Sequence, residues 1–200
     1  DEELLSWYGN TITYCYELEA YHCDDLKGLK FNYSGMCQGI VAHLANAGKK
    51  SVLCLGDGIG DLTIACAKAG LNAIYHDLKD SRTAAFAQFR IWAHLGQDVR
   101  FGWSLTTDWH FKLPVLVEAI VSLDFLEHVP NVEEWTRAIY ESLAPGGLFL
   151  AQNAFAIGDN EHGGSIPMHL TVNNHYEQDW IPLLQRIGFE DAGGGWWRKP

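Results

Sequence analysis

The sequence predicts an α/β fold: a doubly wound sheet of parallel strands with an antiparallel end, preceded by a helical cap. Three observations predict it. From residue 51 onward, short apolar runs alternate with amphipathic stretches, the pattern of strand followed by crossover helix. The first apolar run leads straight into a glycine-rich turn, Gly56-Asp57-Gly58-Ile59-Gly60, and a helix follows at once. The tail from Phe189 to Trp197 is rich in Gly and Trp, which suits a pair of antiparallel edge strands.

Taken in order, residues 1–48 read as a helical, aromatic-rich cap. Trp7, Tyr8, Tyr14, Tyr16 and Tyr21 fall in its first part, Gly28 and Asn32-Tyr33-Ser34-Gly35 interrupt it, and Met36–Ala47 reads as a further helix. The core, residues 49–200, starts with Ser51–Leu55, an apolar run fit for a buried parallel strand. Asp61–Ala69 is a helix ended by Gly70, Asn72–Tyr75 the second strand, and Ser81–Leu95 a helix ended by Gly96. Val99–Trp103 and Val117–Ser122 are the third and fourth strands. Val132–Leu143 is a helix, Pro145-Gly146-Gly147 a turn, and Leu148–Gln152 the fifth strand. An insertion at 153–176 precedes a helix at Asp179–Ile187, stopped by Gly188. One domain, 1–200, accommodates all of this. In such sheets ligands bind outside the carboxyl ends of the strands, and every motif below falls at a strand end.

Composition narrows the partners. The formal net charge is −11, with no basic patch denser than Lys49-Lys50 or Arg198-Lys199, which argues against nucleic acid and anionic lipid. No apolar run is long enough to span a membrane, and Asp1-Glu2-Glu3 lacks the layout of a signal peptide. Five cysteines, with no Cys-x-x-Cys pair, point to free thiols in a reducing cytoplasm; Cys54 and Cys66 sit in apolar runs as small core residues. The chain opens without an initiator methionine, as expected of one trimmed or cut from something longer.

The glycine turn excludes some ligands. A dinucleotide fingerprint needs a third glycine at 61 or 63, where Asp61 and Thr63 stand, and no Gly-Lys-Ser/Thr follows for a phosphate loop. Asp57 and Asp61 repel pyrophosphate and suit a ligand carrying an amino group and a sulfonium. Asp77, at the end of the second strand, is placed to accept hydrogen bonds from ribose hydroxyls; a cap for the next helix is the other reading.

The segment Val52-Leu53-Cys54-Leu55-Gly56-Asp57-Gly58-Ile59-Gly60 resembles motif I of class I S-adenosylmethionine-dependent methyltransferases. Asp77 resembles their ribose-binding acid, Leu143-Ala144-Pro145-Gly146-Gly147-Leu148 the turn before their fifth strand, and Ile187-Gly188-Phe189-Glu190 the entry to their closing strands. The resemblance covers roughly residues 36–197. It implies a Rossmann-like, doubly wound seven-stranded sheet with an antiparallel last strand, and S-adenosylmethionine as cofactor. The residues implied at that cofactor are Gly56, Asp57, Gly58, Gly60, Asp77, Leu78, Asp108 and Leu123, with Asp108 as candidate for the adenine amino group. The sequence departs at Cys54, where the family usually has an acid, so Asp57 or Asp61 is left to hold the methionine amino group.

The fourth strand runs into Asp124-Phe125-Leu126-Glu127-His128. In a helical turn, Asp124, Glu127 and His128 share one face. His128 has three readings: general base for an acceptor hydroxyl or amine, cation ligand with its neighbours, or structural residue. The segment resembles the E-x-x-E-H motif of ubiquinone-biosynthesis O-methyltransferases and of small-RNA 3′-end 2′-O-methyltransferases. That resemblance implies an optional divalent metal, magnesium or manganese, on Asp124, Glu127, His128 and His169. His169, in Ile166-Pro167-Met168-His169-Leu170, falls where the RNA enzymes take a later ligand; His162 and His175 stand behind it. The catalytic candidates are therefore His128, Glu127, Asp124 and His169.

Three functions remain in view. The first is methyl transfer to an O or N atom of a small molecule, with the aromatic N-terminus and the 153–176 insertion covering the acceptor. The second is a metal-dependent RNA 2′-O-methyltransferase. The third is a non-catalytic S-adenosylmethionine-binding or partner protein.

Overall fold

The structure, a computed structural model, describes residues 6–7, 10–12, 15, 33–96, 100–104, 116–155 and 169–200, with backbone alone for 100–104. Its contacts divide the chain into two compact units, Glu2–Thr106 and Thr107–Pro200.

The first unit holds α1 (Tyr33–Asn46), β1 (Ser51–Leu55), α2 (Asp61–Lys68), β2 (Asn72–Leu78), α3 (Arg82–Leu95) and β3 (Arg100–Ser104). The strands are parallel in the order β3-β2-β1, with Leu53 opposite Ile74 and Asp77 opposite Trp103. Val52 to Leu55 are all buried, as a continuous apolar run in a parallel strand demands. On the helical side Ile64, Tyr75, Ala84, Ala87 and Ile91 form one apolar cluster. Ser81 starts α3 by accepting the Ala84 N–H at 3.0 Å, so the helix begins at Arg82 with Ser81 as its cap. The second strand runs three residues further than its apolar stretch predicts. His76 is fully buried within it, and burial pushes its imidazole down to about 3, so it stays neutral.

The second unit holds β4 (Val117–Leu123), a single 3-10 turn (Leu126–His128), α4 (Val132–Ser142), β5 (Leu143–Gln152), a second such turn (Thr171–Asn173), α5 (Tyr176–Ile187), β6 (Glu190–Gly193) and β7 (Trp196–Arg198). The sheet is mixed. β4 and β5 are parallel, while β7 is antiparallel to both β5 and β6. The Gly- and Trp-rich tail thus forms the antiparallel strands expected of it. Its tryptophans are buried: Trp196 and Trp197, neighbours in β7 and so on opposite faces of the sheet, join Phe149, Phe189 and Leu184 among the buried residues. Trp135 on α4 is buried too, edge-on to Phe125 at 5.2 Å, a packing worth about 2–3 kcal/mol for the large apolar side chain.

Two expectations are corrected. Pro145-Gly146-Gly147 is not a free turn but the irregular start of β5, where the register against β4 slips between Val117 and Ala119. The tail holds it there, with Gly146 N–H donating to Lys199 O at 2.8 Å and Lys199 N–H to Gly147 O at 2.9 Å. A Cβ at Gly147 would lie 2.7 Å from Ala144 O, so only glycine fits. The second correction concerns the helical face expected of Asp124, Glu127 and His128. Asp124 has φ 48, a left-handed conformation that Asp tolerates, and it precedes the short turn instead of belonging to it.

Among the described residues, no helix is long and apolar enough to cross a membrane. Cys15, Cys37, Cys54 and Cys66 are free thiols, and Cys54 and Cys66 are fully buried core residues, as their apolar surroundings predict.

Candidate functional site

In the first unit the glycine turn is fixed by β2. Gly56 N–H donates to His76 O at 2.8 Å, continuing the β1–β2 pairing into the turn. Gly58 is then held from two sides. Its N–H donates to Asp77 Oδ2 at 2.8 Å, and its carbonyl accepts the Tyr75 hydroxyl at 2.8 Å. The Arg90 guanidinium reaches Ile59 O at 2.8 Å. Gly60 closes the turn at φ 87, and a Cβ there would press against Ile91 Cδ1 at 3.2 Å, so the glycine serves both conformation and close packing.

Asp77 projects its carboxylate at this turn. One oxygen accepts Gly58 N–H and the other accepts Leu78 N–H at 2.6 Å. Burial pushes the carboxyl up to about 6, against the lowering effect of these two N–H donors and of the nearby Tyr75 hydroxyl, whose hydrogen goes to Gly58 O. A carboxylate has about four lone-pair positions, so two remain for hydroxyl donors. The alternative reading of Asp77 as a helix cap is not what the structure shows, because Ser81 caps α3.

The other two acids are engaged within the protein. Asp57 accepts the Leu62 N–H at 3.2 Å and the Thr63 N–H at 2.8 Å, tying the turn to the first turn of α2. Burial pushes its carboxyl up to about 7. Asp61 pairs with Arg90 at 2.8 Å. The role toward a ligand amine expected of Asp57 or Asp61 therefore competes with internal partners. Tyr75 and Arg90 were not anticipated from the sequence; nothing in the spacing of a strand Tyr or a helix Arg announces a bond to a loop carbonyl 17 or 31 residues away. Asp108 and His162 lie outside the described residues, as do Tyr8, Tyr14, Tyr16 and Tyr21.

In the second unit the structure brings together Glu127, His128 and His169. One donor atom from each lies within 4.8 Å of the others, a spacing that could hold a metal ion. Asp124 is outside this group and exposed, so the four-residue ligand set reduces to three. The two imidazoles meet edge to face, 4.8 Å between centroids. The turn carrying Glu127 and His128 is clamped by the later segment. Leu170 N–H donates to Glu127 O at 3.0 Å, and the Asn173 amide donates to Glu127 O at 3.2 Å and Val129 O at 2.8 Å. Glu127 is fully buried; its Oε1 accepts the Ala154 N–H at 2.9 Å, while Oε2 is buried with no hydrogen-bond partner. Burial pushes this carboxyl up to about 7, and the nearby Asp124 charge adds to the rise. Burial moves His169 the other way, downward, opposed by the neighbouring Ala154 backbone and by the Asp124 charge. His175 sits at the start of α5, exposed, its Nδ1 2.9 Å from Val172 O, and takes no part in the cluster. Leu123, the last residue of β4, is half-buried beside Asp124.

With this geometry in view, the known relatives agree. Residues 30–192 match the model of a methyltransferase domain, and the chain belongs to that family. Its α/β fold is the Rossmann-like fold of S-adenosylmethionine-dependent methyltransferases. A Clostridium acetobutylicum S-adenosylmethionine-dependent methyltransferase is similar at TM-score 0.58 and 18% identity, over 73% of this chain and 63% of that one. The O-methyltransferase of a trans-AT polyketide multienzyme from Brevibacillus brevis, in complex with S-adenosyl-L-homocysteine, gives 0.56 and 20%, over 78% and 52%. Phosphoethanolamine N-methyltransferase 2 of Haemonchus contortus, in complex with S-adenosyl-L-methionine, gives 0.64 and 19%, over 94% and 44%. The chain thus spans between 44% and 63% of the length of these structures. No curated protein sequence matches it.

Proposed function

We propose that this protein transfers a methyl group from S-adenosylmethionine to an O or N atom of a small molecule. The observation that carries the reading is the Gly58–Asp77 pair. A carboxylate already held by two backbone N–H groups keeps two acceptor positions open at a glycine turn, which suits the two adjacent hydroxyls of a ribose. Family membership and the cofactor complexes of the similar structures support the same cofactor. Gly56, Gly58, Gly60, Asp77 and Leu78 form the cradle in this reading. Asp57 acts by holding the turn to α2.

Methyl transfer needs the acceptor, methyl carbon and sulfur in line, and the sulfonium is already a good leaving group. The protein's chemical task is then to accept a proton from a hydroxyl or amine. His169 fits that task. Its Nδ1 is buried with no hydrogen-bond partner, and burial favours the neutral ring. Glu127 Oε2 is a second buried acceptor, and His128 lies against His169. Asp124 contributes charge to both. Glu127, His128 and His169 also fit a divalent cation, because one donor atom from each lies within 4.8 Å of the others and the site holds two buried polar atoms without partners, Glu127 Oε2 and His169 Nδ1. Such a cation would lower the acceptor's pKa when bound.

The seven-stranded sheet, a single domain and a cytoplasmic location belong to this reading as well. The net charge of −11 favours a small molecule over RNA as acceptor. Isothermal titration with S-adenosylmethionine and S-adenosylhomocysteine tests the cofactor. Both are expected to bind with one site per chain, and a folded chain that binds neither refutes the proposal.

A further inference from the structure

Away from the glycine turn, the first unit holds a groove of about 670 Å³ between α1 and α2. The side chains of the two helices explain why it stays open. α1 turns Cys37, Val41 and Ala42 toward it, and α2 turns Ile64 and Ala65, residues that share one face of each helix. Cys37 and Ile64 are buried and lie at its floor, while the two alanines are too short to close its mouth. The volume is that of an ordinary small-molecule site, which is concave and mostly apolar with a few polar groups. Among the described residues, none of Gly56, Gly58, Gly60, Asp77 and Leu78 lines it, so it is separate from the cofactor cradle.

Three charged side chains line the groove, Asp61, Arg90 and Lys68. Arg90 pairs with Asp61 at 2.8 Å, and the two charges cancel. Lys68 makes no ion pair among the described residues. Two bases against one acid leave this groove positive in a chain whose net charge is −11. Asp61 and Lys68 stand at opposite ends of α2, so they are about 10 Å apart along the helix. An anion in the groove is drawn to Lys68 and kept from the far end by Asp61.

We propose that the groove between α1 and α2 binds an amphiphile with an anionic head and an apolar body, of the medium-chain carboxylate class. The head lies at Lys68, and the body runs along Val41, Ile64 and Ala65 toward the Asp61–Arg90 pair. The sign of the head is the distinguishing feature. A chain this acidic attracts cations over most of its surface, so a preference for the anion belongs to this groove and not to the protein at large. The inference rests on the groove and its charges, not on the identity of the cofactor.

The test follows the fluorescence of anilinonaphthalene sulfonate on the full chain, with excess S-adenosylhomocysteine present and decanoate as competitor. Decanoate should displace the probe at least about fivefold better than decyltrimethylammonium, which has the same apolar body and the opposite charge. Lys68→Glu should reverse that order. Ala42→Trp, at an exposed position on the groove's rim, fills the mouth and should weaken decanoate at least about tenfold. Circular dichroism melts certify the fold of both variants. A folded parent that shows no decanoate-sensitive probe binding overturns the proposal. So does parent-like decanoate affinity in folded Ala42→Trp, or an equal response to the two amphiphiles. Release of the probe by S-adenosylhomocysteine alone also overturns it, because the probe then sits in the cofactor cradle. A chain that binds decanoate as described but does not bind S-adenosylhomocysteine leaves the groove standing and removes the cofactor reading instead.

Discussion

Replacing Asp77 with alanine separates the cofactor reading from a merely structural one. Asp77 gives one oxygen to Gly58 N–H at 2.8 Å and the other to Leu78 N–H at 2.6 Å. The two remaining acceptor positions are those assigned to the ribose. A hydrogen bond to a charged group contributes about 1.5–3 kcal/mol, so two come to about 3–6 kcal/mol. At about 1.4 kcal/mol per decade, Asp77→Ala should weaken binding roughly 100-fold or more. Asp77→Asn keeps one acceptor oxygen and loses the charge, and an intermediate loss of about tenfold is expected. The assay is isothermal titration, with thermal melts followed by circular dichroism to certify the fold. S-adenosylmethionine and S-adenosylhomocysteine should lose affinity equally, because they share the ribose and differ only at sulfur. Unchanged affinity in a folded Asp77→Ala protein refutes the ribose assignment. A loss confined to the sulfonium ligand would move Asp77 away from the ribose as well.

Two further predictions follow from the same structure. Asp77 is pushed up to about 6 in the free protein, while hydroxyl donors favour its ionised form. Binding should therefore release a proton below that value, and affinity should fall as pH drops from about 6 toward the ordinary aspartate value of about 4, staying flat above about 7. Calorimetry in buffers of different ionisation enthalpy reads this directly, and pH-independent affinity down to about pH 5 contradicts it. Asn173→Ala removes two donors to the buried carbonyls of Glu127 and Val129. It should cost about 1–3 kcal/mol and lower the melting temperature by several degrees, with S-adenosylmethionine affinity kept; an unchanged melt means the clamp is not holding the turn.

The sequence made the elements of the core readable because their signals are local. Apolar runs, the Ser81 cap and the glycine stops at Gly70, Gly96 and Gly188 lie within a few residues of what they control. The turn expected at Pro145-Gly146-Gly147 failed for a non-local reason: Lys199, more than fifty residues later, recruits its peptides into β5. Asp57 shows the same limit at the site. Its type and place suggest a ligand contact, yet its carboxylate reaches the N–H groups of α2, which have no partners inside the helix. Asp124 drops out of the cluster through a single left-handed backbone angle. Ala154 could not have been found at all, since its contribution is a peptide group and its side chain carries no signal. Glu127, His128 and His169 were legible as chemistry-bearing types, but only the fold shows that a 42-residue separation brings His169 to the other two.

Gly58 is gripped by Asp77 at its N–H and by Tyr75 at its carbonyl, both from the neighbouring strand. The glycine turn is consequently not a portable cassette. Transplanting residues 56–60 into another sheet would move the letters of the motif and leave behind the two side chains that give it shape. Anyone building such a cradle elsewhere must transfer β2 along with the loop. By the same reasoning, a chain that keeps the glycines but lacks a hydroxyl at position 75 should not be counted as having the same site.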